Sequence, residues 1–199
     1  MNKELELTEN KIRKVIDELR QYYRSLEFGP VSDEEGRILQ ILIEISNAKD
    51  VLEIGTSLGV SSLWMTLGLL KTKGKLITFE AMPEHAQFAR QNFEKAGVQD
   101  IITLIERDAV YFSPLLKDKF DFIFMDGLER EYLMFFNLFF PLLKEGGIIV
   151  AHDVITKAND AQDYIETLNK DRRVTNCIIR GPEIATGMLI TYKNKELTG

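Results

Sequence analysis

The sequence predicts an α/β fold: a doubly wound, mostly parallel seven-stranded sheet with an antiparallel C-terminal strand and extra N-terminal helices. Three observations carry this. Short apolar runs alternate with stretches of helical spacing from residue 51 onward. Runs such as Phe122-Ile123-Phe124-Met125 and Ile148-Ile149-Val150-Ala151 are apolar at successive residues, as strands covered on both faces must be. The first run passes through Gly55 and Gly59 directly into a helix, so strand, tight turn and helix N-terminus share one segment.

Thr8 is placed to cap a first helix, with Ile12, Val15, Ile16, Leu19, Tyr22, Tyr23 and Leu26 at helical spacing and Gly29-Pro30 as its stop. Ser32-Asp33-Glu34-Glu35 reads as a capping box opening a second helix that carries Ile38, Leu39, Ile41, Leu42 and Ile45. Residues 1–47 are expected to cover the cleft of a core formed by residues 48–199, the whole chain being one domain. Strand 51–54 leads into helix 63–70, and strand 75–79 ends at Glu80. Pro83 suits the first position of a helix that runs to Ala96 and stops at Gly97. Strand 101–105 precedes Asp108, which can cap a short helix. Strand 120–125 ends at Asp126, and helix 129–143 stops at Gly146-Gly147. Strand 148–151 ends at His152-Asp153, and helix 159–168 follows. Strands 174–179 and 187–192 are joined through Gly181-Pro182 closely enough to pair antiparallel. The pattern is Rossmann-like.

At 199 residues, 45% hydrophobic and 28% charged, the chain has the composition of an ordinary globular domain. A net charge of −6 argues against a broad nucleic-acid surface. The one cysteine, Cys177, excludes an intramolecular disulfide and a cysteine zinc site. The first residues are too acidic and polar for a signal peptide, and no apolar run is long enough to span a bilayer. A cytoplasmic location is the resulting expectation.

Five strand ends carry an acid at or just beyond them: Glu53, Glu80, Asp108, Asp126 and Asp153. Any one could be a helix cap. Five acids, with no Ser or Asn among them, point instead to one crevice at the carboxyl edge of the sheet. The glycine loop lacks the third glycine of a dinucleotide fingerprint and has no lysine for phosphates. An adenosine with an amino-acid tail fits better. Glu80 would take the ribose hydroxyls, Asp108-Ala109 the adenine, and the loop with Ser61 the far end. S-adenosylmethionine has that shape, and its cationic ammonium and sulfonium suit an acidic pocket.

On these residues the sequence resembles the class I methyltransferases, and more narrowly the cation-dependent O-methyltransferases of the catechol and caffeoyl-coenzyme A type. The resemblance covers the chain from about Val31 onward. It rests on Ser32-Asp33-Glu34-Glu35-Gly36, on Val51-Leu52-Glu53-Ile54-Gly55 through Gly59-Val60-Ser61, on Phe79-Glu80-Ala81-Met82-Pro83, on Asp121 through Gly127, and on Gly146 through Val154. It implies cofactor contacts at Val31, Glu53, Gly55, Thr56, Ser61, Glu80, Ala109 and Asp126, beside the Asp108 read above. It also implies a magnesium-type cation held by Asp126, Asp153 and the residue after Asp153, which would acidify a substrate hydroxyl.

The chain departs from that pattern in three places. Val154 stands where the family has a ligating asparagine, Glu129 where it usually has a lysine base, and Val60 where the loop usually has an aromatic residue. Two arrangements stay open: a cation between Asp126 and Asp153, joined by Glu129 or His152, or no metal and His152 as general base. The candidate catalytic residues are therefore His152 and Asp126. His85 reads as a surface residue, and Trp64 and Met65 as core. The apolar segment from Leu133 to Phe140 reads as core, with any surplus serving a homodimer face.

The expected activity is methyl transfer from S-adenosylmethionine to a hydroxyl of a small aromatic acceptor. Two alternatives accompany it: methylation of a wobble uridine in tRNA, using Lys157, Lys170, Arg172, Arg173 and Arg180, and a cofactor-binding homologue without turnover.

Overall fold

The computed structural model describes residues 3–23 and 29–196. The elements in order are α1 (Lys3–Tyr23), α2 (Asp33–Ser46), β1 (Asp50–Ile54), α3 (Val60–Thr72), β2 (Lys75–Glu80), α4 (Pro83–Ala96) and β3 (Ile102–Glu106). They are followed by α5 (Ala109–Phe112), β4 (Phe120–Met125), α6 (Tyr132–Phe139), β5 (Leu143–Ala151), α7 (Gln162–Lys170), β6 (Val174–Gly181) and β7 (Ile184–Lys193).

The strands form one seven-stranded sheet in the order β3-β2-β1-β4-β5-β7-β6. β3, β2, β1, β4 and β5 run parallel, and β7 pairs antiparallel with both β5 and β6. The chain winds outward from β1 to β3 and then returns to the other side of β1 at β4. That reversal opens a crevice at the carboxyl ends of β1 and β4.

Successive strand residues point to opposite faces, and the core divides accordingly. Val51, Phe122, Phe124, Ile148 and Val150 pack with α1, α2, α3 and α4. Leu52, Ile54, Ile123, Met125, Ile149 and Ala151 pack with α6 and α7. This two-sided burial is the reason the strands read as continuous apolar runs. α2 opens with the expected capping box: the Ser32 hydroxyl accepts from the Glu35 N–H, and the Glu35 carboxylate accepts from the Ser32 N–H at 2.7 Å. Such a cap is worth about 1 kcal/mol.

Several expectations are corrected. Thr8 lies inside α1, where its hydroxyl donates to the Glu4 carbonyl, so it caps nothing. Leu26 lies outside the described residues. The expected helix 129–143 is a 3-10 turn at Glu129–Glu131, then α6, then a second 3-10 turn at Phe140–Leu142. Pro141 lacks the N–H that a continuing α-helix needs. The fifth strand accordingly starts at Leu143 rather than 148. It first pairs Leu143 with Phe120 and next Ile148 with Phe122, so two steps along β4 are matched by five along β5. The expected helix 159–168 is observed as α7 at Gln162–Lys170. The last two strands are longer than expected and meet in a tight hairpin in which Gly181 faces Ile184.

Candidate active site

The crevice between β1 and β4 holds two adjoining hollows. The larger, about 370 Å³, is lined by Gly55, Glu80, Asp108, Ala109 and Asp126, with Phe135 as one apolar wall. The smaller, about 160 Å³, is lined by Val31, Thr56, Ser61 and Asp126, under Tyr23. Ser57 and Asp126 border both.

The glycine loop makes this geometry possible. Gly55 has φ +93°, and a Cβ there would lie 2.1 Å from the Asp126 carbonyl oxygen. Only glycine lets the ends of β1 and β4 come this close. Ser57, with φ +49°, also adopts the left-handed conformation. It is held there from two sides. Its N–H donates to Glu80 Oε2 at 2.7 Å, and its hydroxyl is 2.9 Å from the Tyr23 hydroxyl. The other Glu80 oxygen accepts the Met82 N–H at 2.8 Å. Glu80 is thus fixed at the end of β2, while Asp108 accepts the Val110 N–H at 2.8 Å and caps α5. The acid at the third strand is a cap and a wall of the hollow at once.

Glu53 differs from the other acids. It lines neither hollow and is fully buried behind the loop, where its carboxylate accepts from the hydroxyls of Ser61 at 2.5 Å, Thr78 at 2.6 Å and Ser62. Burial outweighs these three donors and pushes its pKa up to about 7. Glu53 therefore sets the start of α3 and the direction of the Ser61 side chain.

On the β5 side, His152 is 5% exposed and sits between two carboxylates. Nδ1 is 3.1 Å from Asp126 Oδ1, and Nε2 is 3.3 Å from Glu35 Oε2. The Thr186 hydroxyl, 3.2 Å from Nε2, donates to Glu35 Oε1 at 2.8 Å. Carboxylate oxygens thus stand on both sides of the ring, Asp126 at Nδ1 and Glu35 at Nε2. Burial lowers the histidine pKa, but the charges and hydrogen bonds of Asp126 and Glu35 outweigh it and raise the pKa well above the ordinary value. Burial likewise raises the Glu35 pKa, but the contact with His152, the Ser32 N–H and the Thr186 hydroxyl bring it down to about 2. Both ring nitrogens already have partners, and His152 lines neither hollow. To act as the expected general base, His152 would have to give up one of these partners.

Asp153 also stands apart. Its φ is +59°, its Oδ1 accepts the Thr156 hydroxyl at 2.8 Å, and it lines neither hollow. Among the described residues, no three of His, Cys, Asp and Glu gather as a metal-binding group. Two participants were missed in the sequence: Tyr23, which looked like one more apolar position of α1, and Glu35, which was read as a cap and as part of a family motif but given no role at the site.

A family model described as O-methyltransferase matches residues 6–193. The chain belongs to the O-methyltransferase family. Its curated relatives include a catechol O-methyltransferase from Niastella koreensis, 36% identical over 129 residues, covering 63% of this chain and 58% of that protein. Another is catechol O-methyltransferase B from Danio rerio, 31% identical over 174 residues, covering 83% of this chain and 65% of that protein. The chain thus spans less than two thirds of either relative's length. Among solved structures, the O-methyltransferase from Bacillus cereus in complex with SAH is 25% identical with a TM-score of 0.81, over 91% of each chain. Family and fold agree with the resemblance read in the five motifs.

Proposed function

We propose that this protein transfers the methyl group of S-adenosylmethionine to a hydroxyl oxygen of a small aromatic molecule. The observation that carries the reading is the pair of hollows joined at Ser57 and Asp126: one suits an adenosine, the other an amino-acid tail. The relatives named catechol O-methyltransferase support an aromatic hydroxyl as the acceptor. When bound, the cofactor supplies an electrophilic methyl group on a sulfonium.

The residues then divide the work. Glu80 takes the ribose hydroxyls, and Asp108 and Ala109 take the adenine edge. Val31, Thr56 and Ser61 hold the amino-acid end, and Glu53 acts behind them by aiming Ser61. Asp126 stands at the junction with its side chain 30% exposed. Oδ1 is held by His152, which leaves Oδ2 to accept the acceptor hydroxyl's hydrogen and align its oxygen for in-line attack. His152 is a positioning residue in this scheme.

The tRNA reading is weaker. Arg172 and Arg173 precede β6 and Arg180 lies near its other end, so roughly 20 Å of strand separates them. Arg173 is also paired with Asp171 at 2.6 Å. α6 leaves little apolar surplus for a dimer beyond Met134. Exposed Ile41 and Ile45 on α2 favour a homodimer through that helix instead. No described helix is long and apolar enough to cross a membrane.

Calorimetric titration with S-adenosylhomocysteine, followed by methyl transfer to a panel of catechols, tests the reading. Saturable binding and methylated product are expected. No binding at millimolar ligand would refute the cofactor, and binding without turnover on any acceptor would favour the inactive homologue.

A further inference from the structure

The residues at the family's cation position do not fit a divalent ion here. We propose that the His152 ring, braced by Glu35, holds Asp126 in place of a cation, and that this protein has no divalent-metal site.

The donor chemistry carries the proposal. Magnesium takes six oxygen ligands, one or two of them carboxylates and the rest waters or substrate oxygens. Asp126 Oδ1 is already engaged by His152 Nδ1 at 3.1 Å. The opposite ring nitrogen is engaged by Glu35 and Thr186, and His152 lines neither hollow, so both ring nitrogens face protein partners rather than space for an ion. Asp153 is turned into its own loop and bonded to Thr156, outside both hollows. Val154, in the third ligand position of the resemblance, is 1% exposed and has no side-chain donor atom.

Glu35 is the less obvious part. Through one carboxylate it caps α2 at the Ser32 N–H, meets His152 Nε2, and accepts the Thr186 hydroxyl from β7. It touches neither hollow. Its effect on the reaction must therefore pass through His152 to Asp126, which makes it a positioning residue.

The inference rests on the cofactor site proposed above, but its main test is independent of turnover. Manganese alone, followed by electron paramagnetic resonance, should show an undiminished free-ion signal with equimolar protein, with or without S-adenosylhomocysteine. Stoichiometric loss of that signal, reversed by Asp126→Asn, would overturn the proposal. S-adenosylhomocysteine affinity should be unchanged by chelator, whereas failure to bind it at all would strike the methyltransferase reading and leave the manganese result intact. Glu35→Gln keeps an oxygen for the Ser32 cap. It should lower kcat on an active acceptor about tenfold, with S-adenosylhomocysteine affinity held within about twofold. An unchanged kcat would overturn the bracing role.

Discussion

The Tyr23 hydroxyl lies 2.9 Å from the Ser57 hydroxyl, tying the C-terminal end of α1 to the loop that separates the two hollows. Ser57 is also in a left-handed conformation, so the bond holds in place a backbone that few non-glycine residues adopt. Tyr23→Phe removes the hydroxyl and leaves the ring packed. A lost hydrogen bond of about 1 kcal/mol should weaken S-adenosylhomocysteine binding several-fold, read by calorimetry. Unchanged affinity would mean that α1 takes no part in the site.

Glu80 gives the sharpest test of the adenosine end. Its two oxygens already hold the N–H groups of Ser57 and Met82, and the same carboxylate faces the larger hollow. Hydrogen bonds to a charged acceptor contribute about 1.5–3 kcal/mol. Glu80→Gln should therefore cost at least about tenfold in S-adenosylhomocysteine affinity. A variant that binds as the parent does would remove Glu80 from the ribose contact.

Glu53 predicts an unusual pH dependence of stability. Its folded pKa, about 7, lies above its unfolded value. The folded state thus binds the proton more tightly than the unfolded chain. Stability from this group is present at low pH and is lost as pH rises from the unfolded value near 4.3 to about 7, after which the loss is complete. The loss is on the order of 3 kcal/mol. Glu53→Gln should melt above the parent at pH 8, with the difference shrinking toward pH 5. A constant difference across that range would show that burial does not govern Glu53.

Gly55 tests the close approach of β1 and β4. Alanine there would meet the Asp126 carbonyl oxygen at 2.1 Å in a left-handed backbone. Gly55→Ala should destabilise the fold by several kcal/mol or displace Asp126, seen as a lowered thermal midpoint together with lost S-adenosylhomocysteine binding. A stable variant that binds normally would contradict the packing described here.

The sheet and the glycine loop were legible because local chemistry dictates them: two-sided burial makes the strands apolar, and a tight turn demands glycine. The boundaries around Phe140-Pro141-Leu142 were less so, because a strand that bulges past its neighbour has no periodic signature. At the site, Glu80, Asp108 and Asp126 were legible as acids at strand ends. The turned-away carboxylates of Glu53 and Asp153 were not, since side-chain direction depends on partners from other elements, Ser62 and Thr78 for the first. The Glu35–His152 contact joins residues 117 positions apart and leaves no mark on local spacing.

The β6–β7 hairpin reaches back across the molecule: the Ser32 hydroxyl donates to the Glu183 carbonyl, and Thr186 meets Glu35. A nascent chain would therefore complete β1, β2 and β4 well before the hairpin that carries Thr186 to Glu35 had left the ribosome. The bracket around His152 would close only with the final hairpin, which acts as the clasp between the first helices and the last strands.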